Sequence, residues 1–211
     1  GMPKRVYRFW SVLIILSVIW SCANRGRPSG GEIDELPPEI INSKPENFST
    51  NFNSDEIVIS FNEFIKIKNL QKQLIISPPM KYEPEISPQG AASRYIKIKI
   101  KDTLPPNTTY AFNFGNSIVD NNEDNPYPYF RYVFSTGSTI DSLSVQGVVL
   151  DAVEKEAESY ISVMLYEKDS TYTDSLVFKS RPRYITNTLD SLKIFSIDNI
   201  KAGTYKLIAL K

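Results

Sequence analysis

Histidine is absent from this chain, and cysteine occurs once, at Cys22. The first absence excludes Ser-His and Cys-His nucleophilic pairs, HExxH zinc sites and histidine general bases. The second excludes an intrachain disulfide and any site built from several thiolates. An excess of charge is also missing. Across 211 residues, 24 Lys and Arg balance 24 Asp and Glu, so there is no basic field for nucleic acid and no acidic field for a cationic partner. No repeat recurs at the ~20–50-residue period of solenoids and propellers. Any catalysis would have to use paired carboxylates, Lys or Tyr. Asp55, Glu56 and Glu63 are such carboxylates, but nothing in the sequence sets the separation that glycoside hydrolysis needs. The expectation is a protein that is not an enzyme and carries no cofactor.

A long apolar run is the next thing lacking. The strongest run, 9–20, is about a dozen residues, or about 18 Å as a helix, short of the ~30 Å hydrocarbon core of a bilayer. What it does have is order: Lys4, Arg5 and Arg8, then F-W-S-V-L-I-I-L-S-V-I-W, then Ser21 and Cys22. A positive segment, a short apolar segment and a small residue form the layout of a secretory signal. Three readings stand: a membrane-spanning helix, a signal cut by ordinary signal peptidase, and a lipoprotein signal with Cys22 as the lipidated first residue of the mature chain. The last is preferred because it explains the position of a lone thiol. Two acyl chains anchor stably where one is marginal. Ile19 and Trp20 depart from the usual residues ahead of a lipidated cysteine. Residues 1–22 are therefore expected to be the signal. The expected address is the cell envelope, anchored by lipid and most simply at the outer membrane, on its periplasmic or surface face.

Residues 23–38 (A-N-R-G-R-P-S-G-G-E-I-D-E-L-P-P) carry no apolar period and read as a tether stiffened at Pro37-Pro38. Beyond them the composition turns to strand formers: hydrophobic residues make up 41% of the chain and aromatics 12%, with 14 prolines between. Strands are expected at 39–43, 56–61, 74–77, 82–86, 95–100, 109–115 and 130–134. Ile57, Ile59 and Phe61 share one face, as do Ile96, Ile98 and Ile100, opposite Lys97, Lys99 and Lys101. Residues 47–53 read as turn, 69–72 as a turn of helix and 120–126 as a polar loop. After a joint at 138–142, further strands are expected at 143–150, 161–166, 192–197 and 206–210, with weaker ones at 175–179 and 183–188. The fold class is all-β: two consecutive β-sandwiches, 39–137 and 143–211.

The runs E-I-V-I-S-F-N-E-F-I, L-I-I-S-P-P, L-P-P-N-T-T-Y-A-F-N-F-G-N-S-I-V-D, N-P and Y-V-F-S-T-G occur in that order between Pro37 and Gly137. In this they resemble a bacterial Ig-like domain of the S-layer-protein type. Tether and domain together resemble Gram-negative lipoproteins that carry an Ig-like domain. One departure is the absence of Gly from the loop Asn121-Asn122-Glu123-Asp124. Downstream, V-Q-G-V-V-L-D, S-V-M-L-Y and I-F-S-I-D-N-I-K-A-G-T-Y-K-L-I-A-L resemble a transthyretin-like or collagen-adhesin B-type sandwich. That resemblance implies a further strand after Lys211, so the second sandwich is expected to be incomplete and the chain a part of a longer one.

Two constellations are candidate sites. Asp120, Asn122 and Asp124, with Asn121, Glu123 and Asn125, form an oxygen-rich loop of the kind that suits Ca²⁺. The EF-hand pattern fails there: the sixth place lacks Gly and the twelfth holds Arg131. The competing reading is an Asx-rich turn. Tyr127, Tyr129, Phe130 and Tyr132 follow it, as an aromatic platform for a glycan or, more simply, with Phe130 and Tyr132 in the core and Tyr127 and Tyr129 exposed. Three functions follow. The preferred one is a membrane-anchored envelope protein acting in adhesion, spacing or assembly, whose partners are the membrane through its lipid, and an envelope protein or glycan, but no nucleic acid. The others are accessory domains of a longer envelope hydrolase and a carbohydrate-binding module using the 127–132 loop.

Overall fold

A computed structural model describes residues 35–150, 161–189 and 193–211. The first module is built on strand β2 (Glu56–Ile67), which alternates in one phase along its whole length. Ile57, Ile59, Phe61 and Ile65 all point inward and are buried. It is central because it pairs with three antiparallel neighbours: β1 (Ile40–Lys44), β5 (Ser93–Lys99) and, through its last three residues, β7 (Ile118–Asp120). The short β4 (Glu85–Ser87) adds to the outer edge of β5. Ile96 and Ile98 of β5 enter the core, and its lysines stay in solvent, where Lys97 lies 3.3 Å from Glu56.

The second sheet of this sandwich has the order β3-β6-β8: β3 (Ile75–Ser77), β6 (Thr109–Asn113) and β8 (Arg131–Ser135), preceded by the single-turn helix α1 (Leu70–Gln73). Tyr110, Phe112, Phe114, Phe130, Tyr132 and Phe134 supply an aromatic core, closed by Phe52, whose ring centroid stacks 4.0 Å from that of Phe134. Burying one such side chain contributes about 1.5–3 kcal/mol. The segment 47–52, read from sequence as turn, covers the free edge of β8. Asn47 does this with one amide: its Oδ1 accepts from Val133 N at 2.7 Å and its Nδ2 donates to the Arg131 carbonyl at 2.9 Å. Phe52 N donates to the Ser135 carbonyl, and Ser135 N to the Ser49 carbonyl. An edge that would otherwise present unpaired backbone groups is thereby satisfied.

The second module pairs β9 (Leu143–Val148) with β12 (Ile194–Ile200), and sets β10 (Ser162–Glu167) between β11 (Tyr184–Asn187) and β13 (Tyr205–Leu210). All these pairs are antiparallel. Val163, Leu165, Tyr184, Phe195, Ile197 and Ile200 form its core. The strand expected at 175–179 is instead a 3₁₀ helix, Asp174–Phe178. Leu176 N donates to the Thr173 carbonyl, and Lys179 N to the Leu176 carbonyl. Thr173, Asp174 and Ser175 favour such local turns over a ladder. Two other expectations needed revision. Only Asp120 of β7 was assigned, to the polar loop at 120–126, with 118–119 read as neither strand nor loop; and β2 runs six residues past Phe61 because Asn62 and Phe64 occupy outward positions without breaking its phase.

Candidate binding surfaces

Residues 1–34, with Cys22, lie outside the described residues, as do 151–160 and 190–192. The other sequence candidates can be placed. Asp120, at the end of β7, is 2% exposed. Its Oδ1 accepts from the backbone N–H groups of Glu123 (2.7 Å), Asn122 (2.8 Å) and Asp124 (3.2 Å), and its Oδ2 from that of Asn125 (2.9 Å). Burial alone would raise this carboxyl, but the four donors outweigh it and hold it below its usual range. Asp120 is thus the organiser of its own loop. Asp124 adopts φ +66° and pairs with Lys68, while Asn122 Oδ1 accepts from Asn121 Nδ2 at 3.2 Å. The oxygens of the calcium candidates Asp120, Asn122 and Asp124 are turned to separate partners. Among the described residues no group of three His, Cys, Asp or Glu side chains converges on a metal-sized space. The bonds to Asp120 have the pattern of an Asx-rich turn.

The aromatic loop also rearranges. Tyr127 does not stand free: its ring packs edge-on against Phe130 at 5.7 Å, against the core. Phe130 and Tyr132 are core residues, as the simpler reading expects. Tyr129 alone projects, 45% exposed, with φ +53°. Of the two candidate rings, Tyr129 is exposed and Tyr127 is half-buried.

What the sequence did not indicate is how the joint at 138–142 is fixed. Residues 35–211 cluster as one compact unit. Arg131, at the start of β8, donates to Asn199 Oδ1 at 2.5 Å and sits 3.1 Å from Asp198 of β12. Asn199 Nδ2 donates to the Asp141 carbonyl at 3.0 Å, and Asp141 N to Thr109 Oγ1 at 2.9 Å, so the linker itself is tied down. Arg181 Nη1 donates to the Met80 carbonyl at 2.8 Å, and Ile185 N to Ser77 Oγ at 3.2 Å. The bond from Asp141 N to Thr109 spans 32 positions and every other one more than fifty, which is why no local pattern announces them.

Two clefts flank this joint. The larger, about 770 Å³, runs between α1, β3 and the 79–89 segment on one side and Ser162, Ile185 and Asn187 on the other. The smaller, about 320 Å³, is lined by Tyr110, Tyr166 and Tyr172 together with arginines and carboxylates. Tyr110 is raised to about 12, chiefly by burial, with Asp102 adding to the rise and Arg183 opposing it. At neutral pH it keeps its proton and can both donate and accept.

The segment 34–136 matches the family model of the bacterial Ig-like domain. This covers the first sandwich from just before β1 to the end of β8, as the resemblance in the sequence implied. Residues 34–136 thus match an Ig-like domain, and the described residues beyond them are nearly all β as well. No curated protein matches it.

Proposed function

We propose that this chain is a lipid-anchored protein of the cell envelope whose two sandwiches form a stiff module for adhesion, spacing or assembly, without catalysis of its own. The observation that carries the reading is the joint. Arg131, Asp198, Asn199 and Asp141 bond the linker and both modules together, so that the pair resists bending as two beads on a loose string would not. Stiffness is what a spacer or a presenting stalk needs, because it fixes the height and direction of the surface it carries. The Ig-like match supports a binding or structural role, and the complete absence of histidine removes the commonest catalytic base. In this reading the anchor is a diacyl group on Cys22, the membrane is the outer membrane, and the transthyretin-like character of the second module makes it a second spacer. The partner is an envelope protein or glycan. Cys22→Ala should move the protein from the detergent phase to the aqueous phase in a Triton X-114 partition. Retention of the variant in the detergent phase would remove the lipid anchor from the proposal.

A further inference from the structure

The smaller cleft, about 320 Å³, takes its walls from both modules. We infer that it is a saccharide site, accepting one or two neutral sugar units of a glycan. Three observations lead there. The first is Tyr110 on β6. It is 4% exposed, and its ring stacks 5.5 Å from Phe134 in the first core, so its position is fixed. Its hydroxyl is not a buried orphan, since among the described residues Ser49 Oγ alone is a buried side-chain polar atom without a partner. The hydroxyl opens to the cleft that Tyr110 lines, where a group from outside can meet it.

The second observation is the balance of charge. Arg181 and Arg183 line the same space as Glu167 and Asp169. Asp169 is held in place by Thr171, whose N–H and hydroxyl donate to its Oδ1 at 2.8 and 2.6 Å. Arg183 lies over the Tyr184 ring at 5.7 Å. An anion would be repelled by the carboxylates and a cation by the guanidinium groups. A neutral polyol suits both, because each hydroxyl can donate to a carboxylate and accept from a guanidinium or phenol. The third is the walls. Tyr166 and Tyr172 with Pro79 give apolar surface for the C–H faces of a pyranose, and the volume falls at the small end of the roughly 300–1,000 Å³ usual for ligand sites.

The inference gives the adhesion reading a ligand and rests on that reading for its role, but not on the anchor. A failed saccharide titration removes the cleft and leaves the partition behaviour of Cys22→Ala as it was. The test is saturation-transfer NMR on the full chain in detergent, with maltose, cellobiose, lactose and diacetylchitobiose as probes. At least one probe should receive saturation from the protein. Tyr110→Phe keeps the ring and should weaken that probe about five- to tenfold, the loss of one hydrogen bond. Tyr172→Ala, in a surface loop outside both cores, is the second variant should Tyr110→Phe disturb the fold, and should also weaken binding. Tyr129→Ala should leave binding unchanged. The inference is overturned if no probe binds the wild type, if Tyr110→Phe folds and binds as wild type does, or if Tyr129→Ala abolishes binding, which would return the site to the 127–132 loop.

Discussion

Asp120 offers the sharpest separation between a metal ligand and a structural carboxylate. Replacing it with Ala removes the common acceptor of four backbone donors. A hydrogen bond to a charged group contributes about 1.5–3 kcal/mol. The four share two oxygens, and Asn122, Glu123 and Asp124 are exposed enough for water to replace part of the loss. The expected cost is therefore that of one or two such bonds, about 2–4 kcal/mol, or roughly 5–15 °C in Tm for a chain of this size. Asp120→Asn keeps one acceptor and turns an N–H₂ toward the N–H of Asn125, and should cost about half as much. The carboxyl is held below its usual range in the folded protein. Its contribution is thus complete above the unfolded value of about 4 and disappears as pH falls through the folded value. Scanning calorimetry between neutral and acid pH, with Ca²⁺ or with EDTA, reads all of this. The wild type should lose stability on acidification more steeply than Asp120→Ala, and neither should respond to Ca²⁺. A Tm that rises with Ca²⁺ in the wild type and not in the variant would refute the reasoning and reinstate the metal.

Other residues test the architecture. Gly147 faces Phe195 across the β9–β12 pair, and a Cβ there would lie 2.7 and 2.8 Å from atoms of that ring. Gly147→Ala should destabilise the second module by about 1–3 kcal/mol in urea titration, as overpacking does, and an unchanged midpoint would mean that the ring is free to move. Gly90→Ala is the contrast: its Cβ meets nothing within 4 Å, so only the strain of φ +76° remains, about 1 kcal/mol. Arg131→Ala removes the Asp198 pair and the Asn199 bond. These partly exposed contacts together contribute about 1–2 kcal/mol. In calorimetry their loss should separate one unfolding transition into two, and small-angle scattering should show a wider spread of module angles. Tyr132→Phe deletes a hydroxyl that donates to the Pro45 carbonyl at 2.7 Å, and should cost about 1–2 kcal/mol with the β signal in circular dichroism unchanged.

Much of the sandwich was legible because burial in a sheet leaves a period of two. The triplets Ile57-Ile59-Phe61 and Tyr110-Phe112-Phe114 point one way, and the structure buries both. Legibility failed where the partner of a segment is distant. β7 holds three residues and has meaning only beside Ile65, Lys66 and Ile67. Asn47 looks like a turn residue until Val133, 86 positions away, is placed against it. The oxygen-rich loop was read with two meanings from composition alone, since only coordinates tell whether carboxylates face one point or the local backbone. Tyr127 and Tyr129 are alike in sequence. The direction of the chain at Tyr129, with its positive φ, puts one ring outside while the other packs on Phe130.

The run S-V-M-L-Y-E in β10 carries the remaining lesson. In a two-layer sandwich with one face in water, alternate residues would be polar. Here four consecutive apolar residues stand between Ser162 and Glu167, and all four are buried. Val163 and Leu165 face the second core, whereas Met164 and Tyr166 face the other way. Tyr166 is covered by the 3₁₀ helix and the chain that follows it: its hydroxyl lies 3.3 Å from the Val177 carbonyl and 3.2 Å from that of Ser180. The outer layer over this sheet is therefore, in this part, a loop carrying one short 3₁₀ helix rather than a third sheet. A loop cannot fill space as evenly as interlocking strands do, and the 320 Å³ cleft opens where it meets the prolines of the first module. A site made that way can change its lining residues in 168–183 without disturbing either core. That separation of framework from recognition is how loops on rigid scaffolds come to carry binding.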